Sequence, residues 1–120
     1  MKIYVAHSRN FDFQQELYEP LRNSTLVKKH EFVFPHSESE GPFNSKQLFQ
    51  EGCDLVLAEV SYPATGLGIE LGWADFLKIP IACIHKKDVK VSVSLKAVSN
   101  TFFEYSDSQN LITQVEKILQ

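Results

Sequence analysis

The side chains best placed to do chemistry in this sequence are Glu70, just past Gly66 and Gly68, and two histidines, His7 and His36, each closing a short apolar run. A carboxylate near a helix start can act on a ligand, or it can simply favour the helix dipole, worth about 0.3–1 kcal/mol. Two glycines there let backbone N–H groups approach a ligand closely, although tight strand-to-helix packing would ask for them equally. Either histidine could hydrogen-bond a ligand or relay a proton. Spacing excludes several other chemistries. Gly66-x-Gly68 is no dinucleotide fingerprint, because position 71 is Leu and Gly72 comes one residue late, and no Lys-Ser/Thr pair follows to make a P-loop. His7, His30, His36 and His85 lack zinc-ligand spacing. Ser8 and Ser61 lie outside a nucleophile-elbow context.

The elements that must position these groups alternate along the chain. Lys2–Ala6 reads as a first strand and is followed by the polar turn His7-Ser-Arg-Asn10. Phe13, Leu17 and Leu21 recur at helical spacing, so an amphipathic helix is expected over about 11–23, kinked or shortened by Pro20. Glu31–Phe34 is a second strand, closed by a long mobile loop over 35–42. Asn44 or Ser45 caps a short helix reaching Gln50. Asp54–Val60 is an almost wholly apolar run, as a strand buried on both faces requires. A turn-rich loop, 61–66, leads into a helix starting near Gly66–Gly68, with Leu71, Ala74 and Leu77 inward and Glu70 in its first turn. Ile79-Pro80 ends it, and Ile81–Ile84 is the next buried strand. Residues 89–99 read as a loop plus a short helix. Thr101–Tyr105 is a fifth strand, and Ser106 or Asp107 caps a last helix with Leu111, Ile112, Val115, Ile118 and Leu119 on one stripe.

This alternation specifies an α/β doubly wound parallel sheet of five strands, in the flavodoxin-like order 2-1-3-4-5. The switch point then lies between strands one and three. His7-Ser8 and the 61–68 loop face each other across one crevice there, with His36 at its side. The expectation is a ligand site at that crevice.

Composition narrows the partners. A chain of 120 residues is one domain, and 43% hydrophobic with 22% charged residues is ordinary for a globular protein. A net charge of -3, with Lys28-Lys29-His30 and Lys86-Lys87 as the basic clusters, argues against a nucleic-acid surface. Cys53 and Cys83 read as buried free thiols. No apolar run approaches the roughly 18 residues of a membrane span. Met1-Lys-Ile-Tyr-Val enters a strand pattern directly, without a signal peptide, so a cytoplasmic protein is expected.

The run Ala58-Glu-Val-Ser-Tyr-Pro-Ala-Thr-Gly-Leu-Gly-Ile-Glu-Leu-Gly-Trp-Ala74, followed by Ile79–Ile84, closely resembles the nucleoside 2-deoxyribosyltransferase family. The nearest likeness is to the branch that hydrolyses 2′-deoxynucleoside 5′-monophosphates. The family pattern G-x-G-x-E-L-G-x-A is met at Gly66, Gly68, Glu70, Leu71, Gly72 and Ala74. Tyr4 and Ser8 match the Y-x-x-x-S of the family's opening, and His36 falls where the hydrolase branch has a histidine. The match is strong from about 54 to 84 and covers most of the chain in outline.

The resemblance implies that Glu70 is a nucleophile that attacks the anomeric carbon and forms a deoxyribosyl ester, with Tyr4 positioning Glu70 or the sugar. His7, Ser8, His36, Thr65, Gly66 and Gly68 would bind the deoxynucleoside or deoxynucleotide, and no metal or organic cofactor is needed. Family members assemble as dimers or larger, so a homodimer is implied, with Ser92 or Ser94 near the place of a serine lent by the neighbour. The sequence departs from the pattern in three places. Lys46 stands where the family usually has an Asp thought to assist the leaving base. Ala64 replaces a phosphate-binding serine, with Thr65 beside it, and His7 replaces a glycine. Glu59, Asp12, His7 and His36 remain candidates for protonating the base. Trp73 and Phe76 are expected to make packing or dimer contacts. Two other classes compete: a non-catalytic nucleotide-binding or sensing domain, favoured by Lys46, and a flavin-binding electron carrier, disfavoured because the loop after Ala6 lacks a hydroxyl-rich phosphate loop.

Overall fold

The structure, a computed structural model, describes residues 1–37 and 43–120. Residues 38–42, most of the loop expected over 35–42, lie outside the described residues. The five strands are β1 (Lys2–His7), β2 (Glu31–Val33), β3 (Leu55–Glu59), β4 (Ile81–Lys86) and β5 (Phe102–Tyr105). They form one sheet in the order β2-β1-β3-β4-β5, and every neighbouring pair is parallel. The expected order is the observed one.

Alternation along each strand divides the core into two layers. On one face Ile3, Val5, Leu57 and Ile84 pack with Leu17, Leu21, Leu111 and Val115. On the other, Tyr4, Ala6, Val56, Ala58 and Cys83 pack with Phe49, Leu67, Leu71 and Ala74. Central strands buried on both faces explain the near-continuous apolar runs. Burying one such Leu or Ile side chain contributes about 1.5–3 kcal/mol.

The helices are α1 (Glu19–Arg22), α2 (Leu26–Lys29), α3 (Ser45–Glu51), α4 (Thr65–Phe76) and α5 (Ser108–Leu119), with a 3₁₀ turn at Val93–Ala97. Two caps hold as read: Asn44 Oδ1 accepts from Gln47 N–H at 3.1 Å, and Asp107 Oδ1 accepts from Asn110 N–H at 2.8 Å. α3 ends at Gly52, whose φ of 123° only glycine adopts readily.

Three local expectations need correction. The helix expected over 11–23 is two pieces, a π turn at Gln14–Tyr18 and the short α1, with α2 added after it. Pro20 has no N–H to continue an α ladder, and just before it the turn widens, Glu19 N–H bonding to Gln14 O five residues back. α4 starts at Thr65, one residue before the glycines, so Glu70 is its sixth residue and lies in the second turn. The dipole effect fades within the first turn, so it does not explain Glu70. Leu77, expected inward, is the C-cap and 40% exposed; Lys78 behind it turns left-handed with φ 62° and leaves Ile79 to close the core. Among the described residues no helix is long and apolar enough to cross a membrane.

Candidate active site

The carboxyl ends of β1 and β3 diverge in connection, because β1 leads to the π turn on one face and β3 leads to α4 on the other. A crevice between them follows from topology. It is a cavity of about 400 Å³ lined by His7, Ser8, Arg9, Asn10 and His36 on one side, and by Gly66, Leu67, Ile69, Glu70 and Trp73 of α4 on the other, with Phe43, Ser45 and Ala64.

Tyr4 sits at the floor. It is fully buried on β1, and its ring packs edge-on against Phe49 with centroids 5.1 Å apart. Its hydroxyl donates to Glu70 Oε2 at 2.6 Å, across 66 residues of chain. Ser45, buried at the start of α3, sits beside both groups and favours the ionised form of each. Burial pushes the Glu70 carboxyl above the ordinary glutamate range, while the bond from Tyr4, Ser45 and the Arg9 guanidinium pull it back part of the way. Tyr4 is driven up by burial and by the Glu70 charge, so it remains a protonated donor. The outcome is a half-buried carboxylate held by a hydroxyl donor and facing a cavity. Such a group can serve as a nucleophile or stabilise a developing cation.

The β1 end supplies the opposite wall. Ser8 Oγ accepts from Asn10 N–H at 2.9 Å, which leaves its own proton to donate. His7 Nδ1 lies 2.7 Å from Ser8 O, and Nε2 lies 2.5 Å from the Tyr18 hydroxyl, so both ring nitrogens are engaged within the protein. Burial, with smaller contributions from His36 and Arg9, lowers the His7 pKa to about 4. His36 is tied to Arg9, whose Nη2 donates to Nδ1 at 2.9 Å, and burial plus that guanidinium hold its pKa below the usual histidine value.

Of the site residues expected from sequence, Glu70, His7, Ser8, His36 and Gly66 line the cavity and Tyr4 supports it from beneath. Thr65 and Gly68 are exposed on the first turn of α4 and do not line it, and Ser94 lies away from it on the 3₁₀ turn. A Cβ on Gly66 or Gly68 would meet nothing within 4 Å, so tight packing against the strands does not account for either glycine. Among the groups named for protonating a leaving base, Glu59 is buried and occupied by Ser61 and Tyr105, and Asp12 is exposed outside the cavity. Trp73, expected to pack, is a wall of the cavity, with Lys46 Nζ 5.9 Å above its ring. Arg9, Asn10, Phe43, Ser45 and Ile69 were not anticipated. The rule that flags His7 and Ser8 as loop residues at a strand's carboxyl end reaches Arg9 and Asn10 as well, whereas nothing local to α3 marks Ser45. Among the described residues no three His, Cys, Asp or Glu side chains are grouped as a metal site would need.

No protein-family model matches this chain. Two archaeal proteins, each provisionally named 2′-deoxynucleoside 5′-phosphate N-hydrolase 1, are similar in sequence. One, from Methanosarcina mazei, is 39% identical over 64 residues, spanning 51% of this chain but only 40% of that protein. The other, from Methanococcoides burtonii, is 29% identical over 119 residues, covering 88% of this chain and 96% of that protein. Among solved structures, the CMP N-glycosidase of Clostridium botulinum superposes with a TM-score of 0.66 at 18% identity, over 97% of this chain and 99% of that one. That likeness is one of fold.

Proposed function

We propose, since this chain belongs with the nucleoside 2-deoxyribosyltransferase-like proteins, that it cleaves the N-glycosidic bond of a 2′-deoxynucleoside or its 5′-monophosphate. The observation that carries the reading is the Tyr4–Glu70 pair, a hydroxyl donating at 2.6 Å to a carboxylate that borders a cavity of about 400 Å³. A Glu70 oxygen attacks C1′ as the bond to the base breaks. The bonding pair leaves with the base, and a deoxyribosyl–Glu70 ester forms. Water then attacks C1′, leaving its hydroxyl on the sugar and its proton for the departed base, and releases Glu70 as a carboxylate; an acceptor base in place of water gives base exchange. The transition state carries positive charge at C1′, so a fixed anion beside it lowers the barrier directly. Tyr4 holds Glu70 in orientation and donates to its ionised form.

Ser8 and the Gly66 backbone are the binding groups for the sugar and any 5′-phosphate, with Thr65, Gly68 and the partner's counterpart of Ser94 as contributors at the rim. His7 completes the Ser8 wall. His36, kept neutral, is the hydrogen-bonding partner of the base. No metal or organic cofactor enters these steps. A homodimer belongs to the same reading, because Ile69, Trp73, Phe76 and Leu77 expose apolar surface along α4 and Phe76 is 86% exposed. Light scattering should then give twice the 13.7 kDa of one chain, and a monomer mass would remove this part.

The test of the chemistry is chromatography of free base released from each deoxynucleoside and deoxynucleoside monophosphate, with and without an acceptor base, for the native protein and Glu70→Gln. Release is expected from the native protein and a loss of about 10³-fold or more in the variant. Binding of nucleotide without any release would instead leave a sensing domain, the reading that Lys46 favours.

A further inference from the structure

One buried hydroxyl joins the end of β1, which carries His7, to the turn after β2, which carries His36. Tyr18 is fully buried on the π turn, its ring packed 4.8 Å from Phe34 and 5.2 Å from Phe13. Its hydroxyl meets His7 Nε2 at 2.5 Å and accepts from His36 N–H at 3.2 Å. Gln14, the first residue of the same turn, donates from Nε2 to His36 O at 2.9 Å. Both backbone polar groups of His36 are therefore held by the π turn.

The proton positions follow from the partners. Ser8 O can only accept, so His7 Nδ1 carries the proton. In a neutral ring Nε2 is then bare and accepts from the Tyr18 O–H, whose oxygen accepts from His36 N–H. The result is a one-directional chain from His36 N–H through Tyr18 and His7 to the carbonyl of Ser8. Protonating His7 would leave the Tyr18 hydroxyl proton facing two donors in a buried place, in keeping with the low basicity of His7. π turns are rare and recur at functional sites, and this one is what places Tyr18 and Gln14 beneath the cavity wall.

We propose that Tyr18 is a positioning residue for substrate binding: through His7 it sets the Ser8 turn, and together with Gln14 it sets His36, so that both walls are ordered before the nucleotide arrives. The inference rests on the glycosidase reading for its substrate but not for its geometry. Tyr18→Phe keeps the ring packing and removes the hydroxyl alone. Steady-state base release should show KM raised about tenfold with kcat within about twofold, because what is lost is pre-organised binding shared by ground and transition states. Histidine ¹⁵N spectra of the unliganded protein should show His7 as the Nδ1–H tautomer in the native chain, and in Tyr18→Phe the same tautomer with its bare Nε2 resonance shifted by loss of the hydroxyl donor. Gln14→Ala, should Tyr18→Phe fail to fold, is expected to raise KM with the His7 tautomer unchanged.

If the native protein releases no base, the glycosidase reading falls by itself. Calorimetric Kd values for deoxynucleoside monophosphates then replace KM, and the tautomer measurement stands. A native His7 in the Nε2–H form, or KM (or Kd) unmoved in both variants, overturns the proposal. A fall in folded fraction with KM unchanged overturns it too, by assigning Tyr18 to stability alone.

Discussion

The carboxyl edge of the sheet carries two Tyr–Glu pairs, and they have been put to opposite uses. At the end of β3, Glu59 is 1% exposed and accepts from Ser61 N–H at 2.7 Å, from Ser61 Oγ at 3.0 Å and from the Tyr105 hydroxyl. Ser61 Oγ in turn accepts from Lys86 N–H at 2.8 Å, so the carboxylate ties the ends of β3, β4 and β5 to one another. On α4, Glu70 has the Tyr4 hydroxyl and Ser45, and beside it lies open space. Both carboxylates are held by the hydroxyl of a strand tyrosine far away in the sequence, Tyr105 of β5 and Tyr4 of β1. Only one borders a cavity with acceptor capacity to spare. A carboxylate surrounded by donors on every side is a structural tie, and one left partly open is available to an electrophile.

The sharpest way to break this comparison is to make the same substitution in both pairs. Glu70→Gln should cost about 10³-fold or more in base release while leaving the fold intact. Glu59→Gln should do the reverse. Its amide nitrogen replaces one of two oxygens that between them accept three hydrogen bonds, so a donor meets a donor whichever way the amide turns; unfolding in denaturant should show a loss of about 2–4 kcal/mol, with kcat of the folded fraction near native. If Glu59→Gln abolished kcat without loss of stability, the division of labour would be wrong.

The tyrosines sharpen it on a finer scale. Tyr4→Phe should lower kcat about 10–100-fold, and Tyr105→Phe should leave kcat alone while costing about 1–3 kcal/mol of stability. The pH profile gives the smallest and most specific signal. Glu70 must be ionised to attack, and its pKa is raised, so kcat/KM should fall as pH drops through a value above that of an ordinary glutamate. The Tyr4 bond lowers that pKa, so Tyr4→Phe should move the acid limb to higher pH; a limb that stays put or moves down would show that Tyr4 does not hold the ionised form.

Much of the fold was legible because its signals are local. Leu55–Glu59 and Ile81–Lys86 announce themselves as strands buried on two faces, and Asn44 and Asp107 announce caps within three residues. The π turn was not legible. Phe13, Leu17 and Leu21 satisfy an ordinary helical period, and the widened hydrogen bond before Pro20 leaves no compositional mark. The start of α4 was misplaced by a residue or more because Thr65 carries no cap of its own and Ala64 makes no side-chain bond.

By itself, then, the sequence determined the alternation of strands and helices, the parallel order, and the edge where Glu70, His7, Ser8 and His36 would gather. Apolar runs and their periods are properties of consecutive residues, and a right-handed crossover leaves few ways to wind them. Only the tertiary structure decided which groups touch. Register between β1 and β3 sets Tyr4 opposite Val56 and His7 opposite Glu59, and the docking of α3 and α4 then brings Ser45 and Glu70 to Tyr4. Those meetings depend on ångström-scale placement of elements far apart in the chain, and no local pattern of residues records it.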